Sequence, residues 1–278
     1  MVTFRLFSGI PVNTAQALHS AARRYCIDKH RYWCEAYARL LKQGRAGDGY
    51  HYSPTALDTF PRYNMLNAIR VAIETIDSES LDDFATTKSQ VVNAASIADD
   101  DFTRTSLDDT SANAQRSERE KFCDFVRSIS ESDVLKHDPL PYRRVLSAVE
   151  SDRVWTALGS VWGIPERAYW YPLCETSVTD ITAFSANDFH EFVPAHALRR
   201  KLADLSIDRV WELREFGPEY AENVELLDPF YNGAEGVWTV PGYAWVMYAS
   251  HESSVTIAGT LLAEVKRMWP NWQQHQWN

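Results

Sequence analysis

Ser250-His251-Glu252-Ser253 sets an imidazole beside a carboxylate in the turn between two strand-like segments, 243–250 and 254–259. Such a pair suits general acid–base work, because histidine titrates near neutral pH and a carboxylate can orient its ring. If the chain is an enzyme, of a small hydrolase-like or ligand-binding kind, its centre is expected at His251 and Glu252. Glu175 and the neighbouring Cys174 are further candidates. Two features weigh against catalysis there. No GxSxG elbow supplies a nucleophile, and neighbours on extended backbone point to opposite sides. A turn whose polar side chains satisfy loose backbone groups is the plainer reading. Cys174 follows the ring-rich run Tyr169-Trp170-Tyr171, and without an identifiable histidine partner it reads as a structural thiol.

Cys26, His30 and Cys34 recur every four residues, a pattern that invites a metal. Each step of four drifts about 40° around a helix, and Cys26 and Cys34 stand ~12 Å apart along it, so one ion reaches at most two of the three. His190-Glu191-Phe192-Val193-Pro194-Ala195-His196 resembles a zinc-protease helix only on the surface. That chemistry needs histidines four apart on one helix, whereas these are six apart with a proline between them. The glycines form neither GxxxxGK nor GxGxxG, which excludes the common phosphate cradles. No metal and no cofactor is expected.

The strongest non-catalytic signal runs from Trp211 to Tyr243. Glu212, Glu215, Glu219, Glu222 and Glu225 are interleaved there with rings that include Tyr231 and Trp238. Acidic rims around aromatic anchors suit a protein interface: rings bury area at low entropic cost and charges steer the partner. Net charge is −10, and residues 205–264 hold ten acidic side chains against two basic ones, Arg209 and Arg214. That field repels phosphate backbones, so no nucleic-acid partner is expected, and it attracts a basic protein. The alternative use of the same rings is to fill the core of a small sheet.

These residues need elements to position them. Asn13 or Thr14 can cap a helix to about Gly44, with Leu18, Ala22, Cys26, Trp33 and Leu40 on its buried face. Ser53-Pro54 opens a short helix and Pro61 a second one to about Asp77. Ser80-Leu81-Asp82-Asp83 reads as a capping box before a helix to about Ile97, and another helix spans about 113–130. Trp155 and Trp162 share one face of a helix starting near Ser151, and Pro194 opens a helix to about 206. Strands are expected at 2–7, 178–184, 208–216, 221–227, 236–240, 243–250 and 254–259. Of these, 243–250 is apolar on both faces and therefore central, and 254–259 alternates as a half-buried strand does. The fold class is α+β: a helical N-terminal layer, residues 1–140, and a tryptophan-rich region, 141–278, with an antiparallel sheet of about five strands and flanking helices. The two regions are either separate domains or one continuous one.

No apolar run approaches the ~20 residues of a spanning helix, so no membrane is expected. Residues 1–7 lack the marks of a secretion signal, and the scattered cysteines read as reduced thiols, which together point to the cytoplasm. Two functional readings result. The first is a non-enzymatic interaction protein of immunity or antitoxin type, binding a basic protein through Glu212, Glu215, Glu219, Glu222, Glu225, Tyr231 and Trp238. The alternative is the enzyme centred on His251 and Glu252.

Overall fold

The computed structural model describes residues 13–49, 51–104, 108–171, 178 and 180–277. The chain divides into two compact units, with the boundary between Leu140 and Pro141. The strand expected at 2–7, and Cys174 and Glu175, lie outside the described residues.

The first unit is helical: α1 (Thr14–Lys42), α2 (Pro54–Glu74), α3 (Phe84–Ile97), α4 (Asp109–Ser128) and the single turn α5 (Glu131–Val134). A two-residue hairpin of β1 (Gly47–Asp48) and β2 (His51–Tyr52) joins α1 to α2. The Asn13 side chain accepts from the Ala15 N–H and Ser53 from Ala56, so both caps act as their sequence positions suggest. Asp83, not Ser80, caps α3, accepting from the Thr86 N–H. Leu18, Ala22 and Cys26 of α1 meet Leu66, Ile69 and Ile73 of α2, Val91 of α3, and Phe122 and Val126 of α4 in one apolar core. At its edge Arg23 and Glu74 form a buried ion pair at 2.9 Å.

Pro61 does not open a new helix: α2 runs through it without interruption. A proline leaves the carbonyl four residues earlier without its helical partner. That carbonyl belongs to Leu57, and the Ser111 hydroxyl of α4 donates to it at 3.4 Å. A tertiary contact supplies what the local sequence lacks.

The second unit is a seven-stranded, wholly antiparallel sheet with helices on both faces. Its elements are β3 (Arg143–Val145), α6 (Ala148–Trp162), β4 (Ile181–Ser185), α7 (Ala186–Phe192), α8 (Ala195–Asp204), β5 (Arg209–Arg214), β6 (Tyr220–Asn223), β7 (Gly236–Thr239), β8 (Trp245–Ser250), β9 (Ser254–Gly259) and α9 (Thr260–Met268). The strand order is β3-β6-β5-β7-β8-β9-β4, which makes β8 interior, as its two apolar faces require. α6 covers Leu213, Val237, Val246, Tyr248 and Ala258 with Val154, Trp155, Leu158 and Trp162. Phe189, Leu198, Leu202, Leu261 and Val265 of α7, α8 and α9 cover the opposite face at Val210, Trp238, Met247, Val255 and Ile257. β9 is therefore buried on both sides, Thr256 included, and its alternation marks two covered faces instead of one wet one. The fold is α+β, with more strands in the sheet than the sequence predicts.

Gly259 ends β9 at φ 77°, ψ −154°, and an added Cβ would meet the Ala244 carbonyl oxygen at 2.4 Å. Gly259→Ala is expected to destabilise this unit by about 1–3 kcal/mol from backbone strain alone. Chemical denaturation checks this; a midpoint equal to wild type would contradict it.

Candidate functional site

Pairing of Arg214 with Gly236, of Gly236 with Ala249, and of Ser250 with Ser254 brings the β5–β6 turn, the start of β7 and the β8–β9 turn to one end of the sheet. At this rim stands the one histidine–carboxylate contact that the turn sequence foreshadows, with a different carboxylate. His251 Nδ1 lies 2.5 Å from Glu235 Oε1, and the His251 backbone N–H donates to the same oxygen at 3.0 Å. Glu235 is buried, 2 % exposed, whereas the His251 side chain is 45 % exposed. Glu252 is exposed on the turn, its backbone N–H donating to Ser250 Oγ, and no hydrogen bond joins it to His251 among the described residues. The adjacent carboxylate of the sequence is thus replaced by one sixteen residues upstream, because a strand pairing and not chain proximity sets the geometry.

Rings close around this pair. Tyr169 lies 5.0 Å from the His251 ring and Tyr231 6.3 Å. Behind them the Tyr248 hydroxyl accepts from the Trp170 N–H, and burial, reinforced by Glu235, pushes its pKa up. Glu215 is tied to the rim by its N–H, which donates to the Glu235 carbonyl. Its negative field, ahead of that of Glu235, raises the Tyr169 phenol. Tyr169, Tyr171 and Tyr231 are 45, 51 and 42 % exposed, and Phe192, Phe216, Phe230 and Trp277 of the same unit are open as well.

The hydrogen bond that His251 donates to Glu235 raises the His251 pKa above 6.5, and the fields of Glu235, Glu252 and Glu215 act in the same direction. Folding therefore favours the imidazolium. Its contribution is complete below the unfolded value and is lost as pH rises through the folded one. NMR titration is expected to place the His251 midpoint above 6.5 and to show it falling when Glu235 becomes glutamine. An unchanged midpoint in Glu235→Gln would contradict the pairing.

Most of the glutamates expected on a partner surface point inward. Glu219 is buried under α6, accepting from Trp155 Nε1 at 2.6 Å and from the Ser151 hydroxyl, with Arg167 Nε 3.6 Å away. It clamps α6 to the sheet. Glu212 and Glu222 lie on the other face, buried among cations. Arg214 donates to Glu212 Oε1 from Nε at 2.9 Å and Nη2 at 2.7 Å, and Arg143 reaches Glu212 at 3.3 Å and Glu222 at 3.2 Å. Burial, then the charge of Glu212, pushes the Glu222 carboxyl up to about 8. Trp238 is 1 % exposed and lies under Arg214, whose guanidinium is 4.8 Å from its ring. Gly236 makes room for both, since a Cβ there would meet Trp238 at 2.4 Å and Arg214 at 2.7 Å. Glu225 is exposed, but it follows Asn223, which pairs with Arg209 at the opposite end of the sheet. Of the expected surface, Glu215 and Tyr231 remain at the rim, joined by Tyr169, Tyr171 and His251. A strand alternation does not say which polar side chains meet arginines within the fold, so the sequence alone makes these acids look exposed.

The remaining constellations form no further cluster among the described residues. Cys26 is fully buried, which pushes its thiol far up. Cys34 Sγ is 3.6 Å from His30 Nδ1, but burial raises the thiol and lowers the imidazole, opposite to what a thiolate–imidazolium pair needs. No three His, Cys, Asp or Glu side chains among the described residues are grouped to hold a metal ion. His190 and His196 sit on separate helices, α7 and α8, divided at Val193-Pro194. No helix among the described residues is long and apolar enough to cross a membrane. Comparison with known protein families, curated proteins and solved structures finds no match, so function rests on the geometry of this chain.

Proposed function

We propose that the chain is an interaction protein, of immunity or antitoxin type, that binds a basic protein partner at the rim formed by Glu215, Tyr169, Tyr171, Tyr231 and the Glu235–His251 pair. The observation that carries this reading is the gathering of three open tyrosines around Glu215 and the Glu235–His251 pair at one sheet end. Such rings supply contact area with few rotors to freeze, and their faces attract cationic side chains. Glu215 and Glu235 draw those cations in, while neutral His251 leaves the rim more negative than its imidazolium does. Affinity for a basic partner is accordingly expected to rise as pH increases through the His251 midpoint.

The test is affinity capture from the native host with the wild-type chain and with a Tyr231→Ala/Glu215→Gln variant, followed by calorimetry on whatever is recovered. A basic protein held by wild type, lost by the variant, and bound more weakly at about 0.3 M than at about 0.05 M salt is the expected result. Equal recovery by both chains, or no partner for a monodisperse protein, would count against it.

One observation favours a second reading. An imidazole whose Nδ1 is held by a buried carboxylate is the base-and-orienter half of a hydrolytic site, and His251 Nε2 carries no hydrogen bond among the described residues. Hydrolysis of p-nitrophenyl acetate abolished by both His251→Ala and Glu235→Gln would support it; activity indifferent to both would end it.

A further inference from the structure

The search for a second site leads to the helical unit. Between α1 and the α4–α5 corner lies a cleft of about 740 Å³, within the range of small-molecule sites. Its floor is apolar: the Tyr25 ring stacks on Phe125 at 4.6 Å and 27°. Its rim carries a small excess of basic side chains, in a chain of net charge −10. Arg24, Lys29, Lys136 and His137 line it, against two acids, Asp28 and Asp133.

The charges are not equivalent. Asp133 is already matched, bonded by Lys136 at 2.6 Å and by the Ser130 hydroxyl at 2.5 Å. Arg24 is braced by its donation to the Asp138 carbonyl at 2.8 Å, a neutral acceptor, and forms no ion pair among the described residues. Lys29 is exposed, with its ammonium 5.9 Å from the centroids of both Tyr25 and Tyr32 and no carboxylate partner among the described residues. The cleft therefore offers an apolar floor beside two cations that form no ion pair among the described residues, with Asp28 the remaining acid on its rim.

We propose that this cleft binds a small organic anion with a planar apolar body, of the aryl carboxylate class. The ring of the ligand lies against Tyr25 and Phe125, and its carboxylate faces Lys29 and Arg24. A charge-assisted contact to either cation gives orientation, and burial of the aryl group supplies most of the affinity. The site is independent of the rim around His251, so the two can fail separately.

The probe is 2-naphthoate, titrated into the full chain by calorimetry and by ¹H–¹⁵N NMR, with 2-naphthylmethylammonium as the charge-reversed control. One-to-one binding with a Kd of roughly 1 mM or tighter is expected. Shifts should centre on Tyr25, Lys29 and Phe125. Lys29→Glu, at an exposed position that leaves the fold intact, is expected to weaken it about tenfold. Tyr25→Leu removes the stacking surface and weakens it as well. No saturable binding to wild type, equal binding of the ammonium control, or affinity unmoved by Lys29→Glu overturns the proposal.

Discussion

Replacing Arg214 with alanine is expected to destabilise the sheet unit by about 3–5 kcal/mol, the cost of leaving a buried charge without its partner. Arg214 and Glu212 side chains are 8 and 10 % exposed, so solvent does little to soften the loss. Alanine removes two hydrogen bonds to Glu212, one to Asn232 Oδ1 at 3.2 Å, and the cover over Trp238. Glu212 and Glu222 are then left facing Arg143 alone. The double replacement Glu212→Met/Arg214→Met removes both charges together and is expected to cost less than the sum of the single changes. Urea denaturation of the four proteins measures the coupling. Additive effects, or an Arg214→Ala loss below about 1 kcal/mol, would mean that these charges do not act as a network.

Tyr231→Ala should have the largest functional effect. Loss of a central tyrosine anchor weakens a protein interface by about 2 kcal/mol, roughly thirtyfold in Kd. Stability should change by no more than about 0.5 kcal/mol, because the ring lies at the surface of the free chain and not in its core. Glu225→Gln offers the matched control: an exposed acid in the same segment, but at the far end of the sheet, expected to change affinity by no more than about twofold. Similar losses from the two replacements would relocate the interface away from the rim and return it to a diffuse acidic face.

What the sequence discloses and what it hides follow from the range of the forces involved. Local signals are legible. The Asn13 and Ser53 caps act as expected, and the doubly apolar run 243–250 is an interior strand. Pro61 misleads because its rescue comes from Ser111, fifty residues away along the chain. β9 misleads because small polar residues such as Thr256 are acceptable on a face that α6 covers. At the site, His251 is visible as a turn histidine near acid, but its partner is Glu235, a choice made by the register of β7 against β8. The acidic run from Glu212 to Glu225 shows the same limit. Its charge is plain in the sequence, but whether Glu219 and Glu222 meet water or an arginine depends on Arg167 and Arg143, which lie at least 52 residues earlier in the chain, and Glu212 meets Arg214 of its own strand.

The claim beneath the functional reading is that negative charge and open rings converge at a single end of the sheet. ¹H–¹⁵N NMR of the full chain during titration with a lysine-rich octapeptide tests it most directly. The account predicts saturable shifts concentrated at Glu215, Tyr231, Glu235 and His251, abolished by Tyr231→Ala/Glu215→Gln. Shifts spread evenly over every exposed acid, or absent from those four residues, would contradict it.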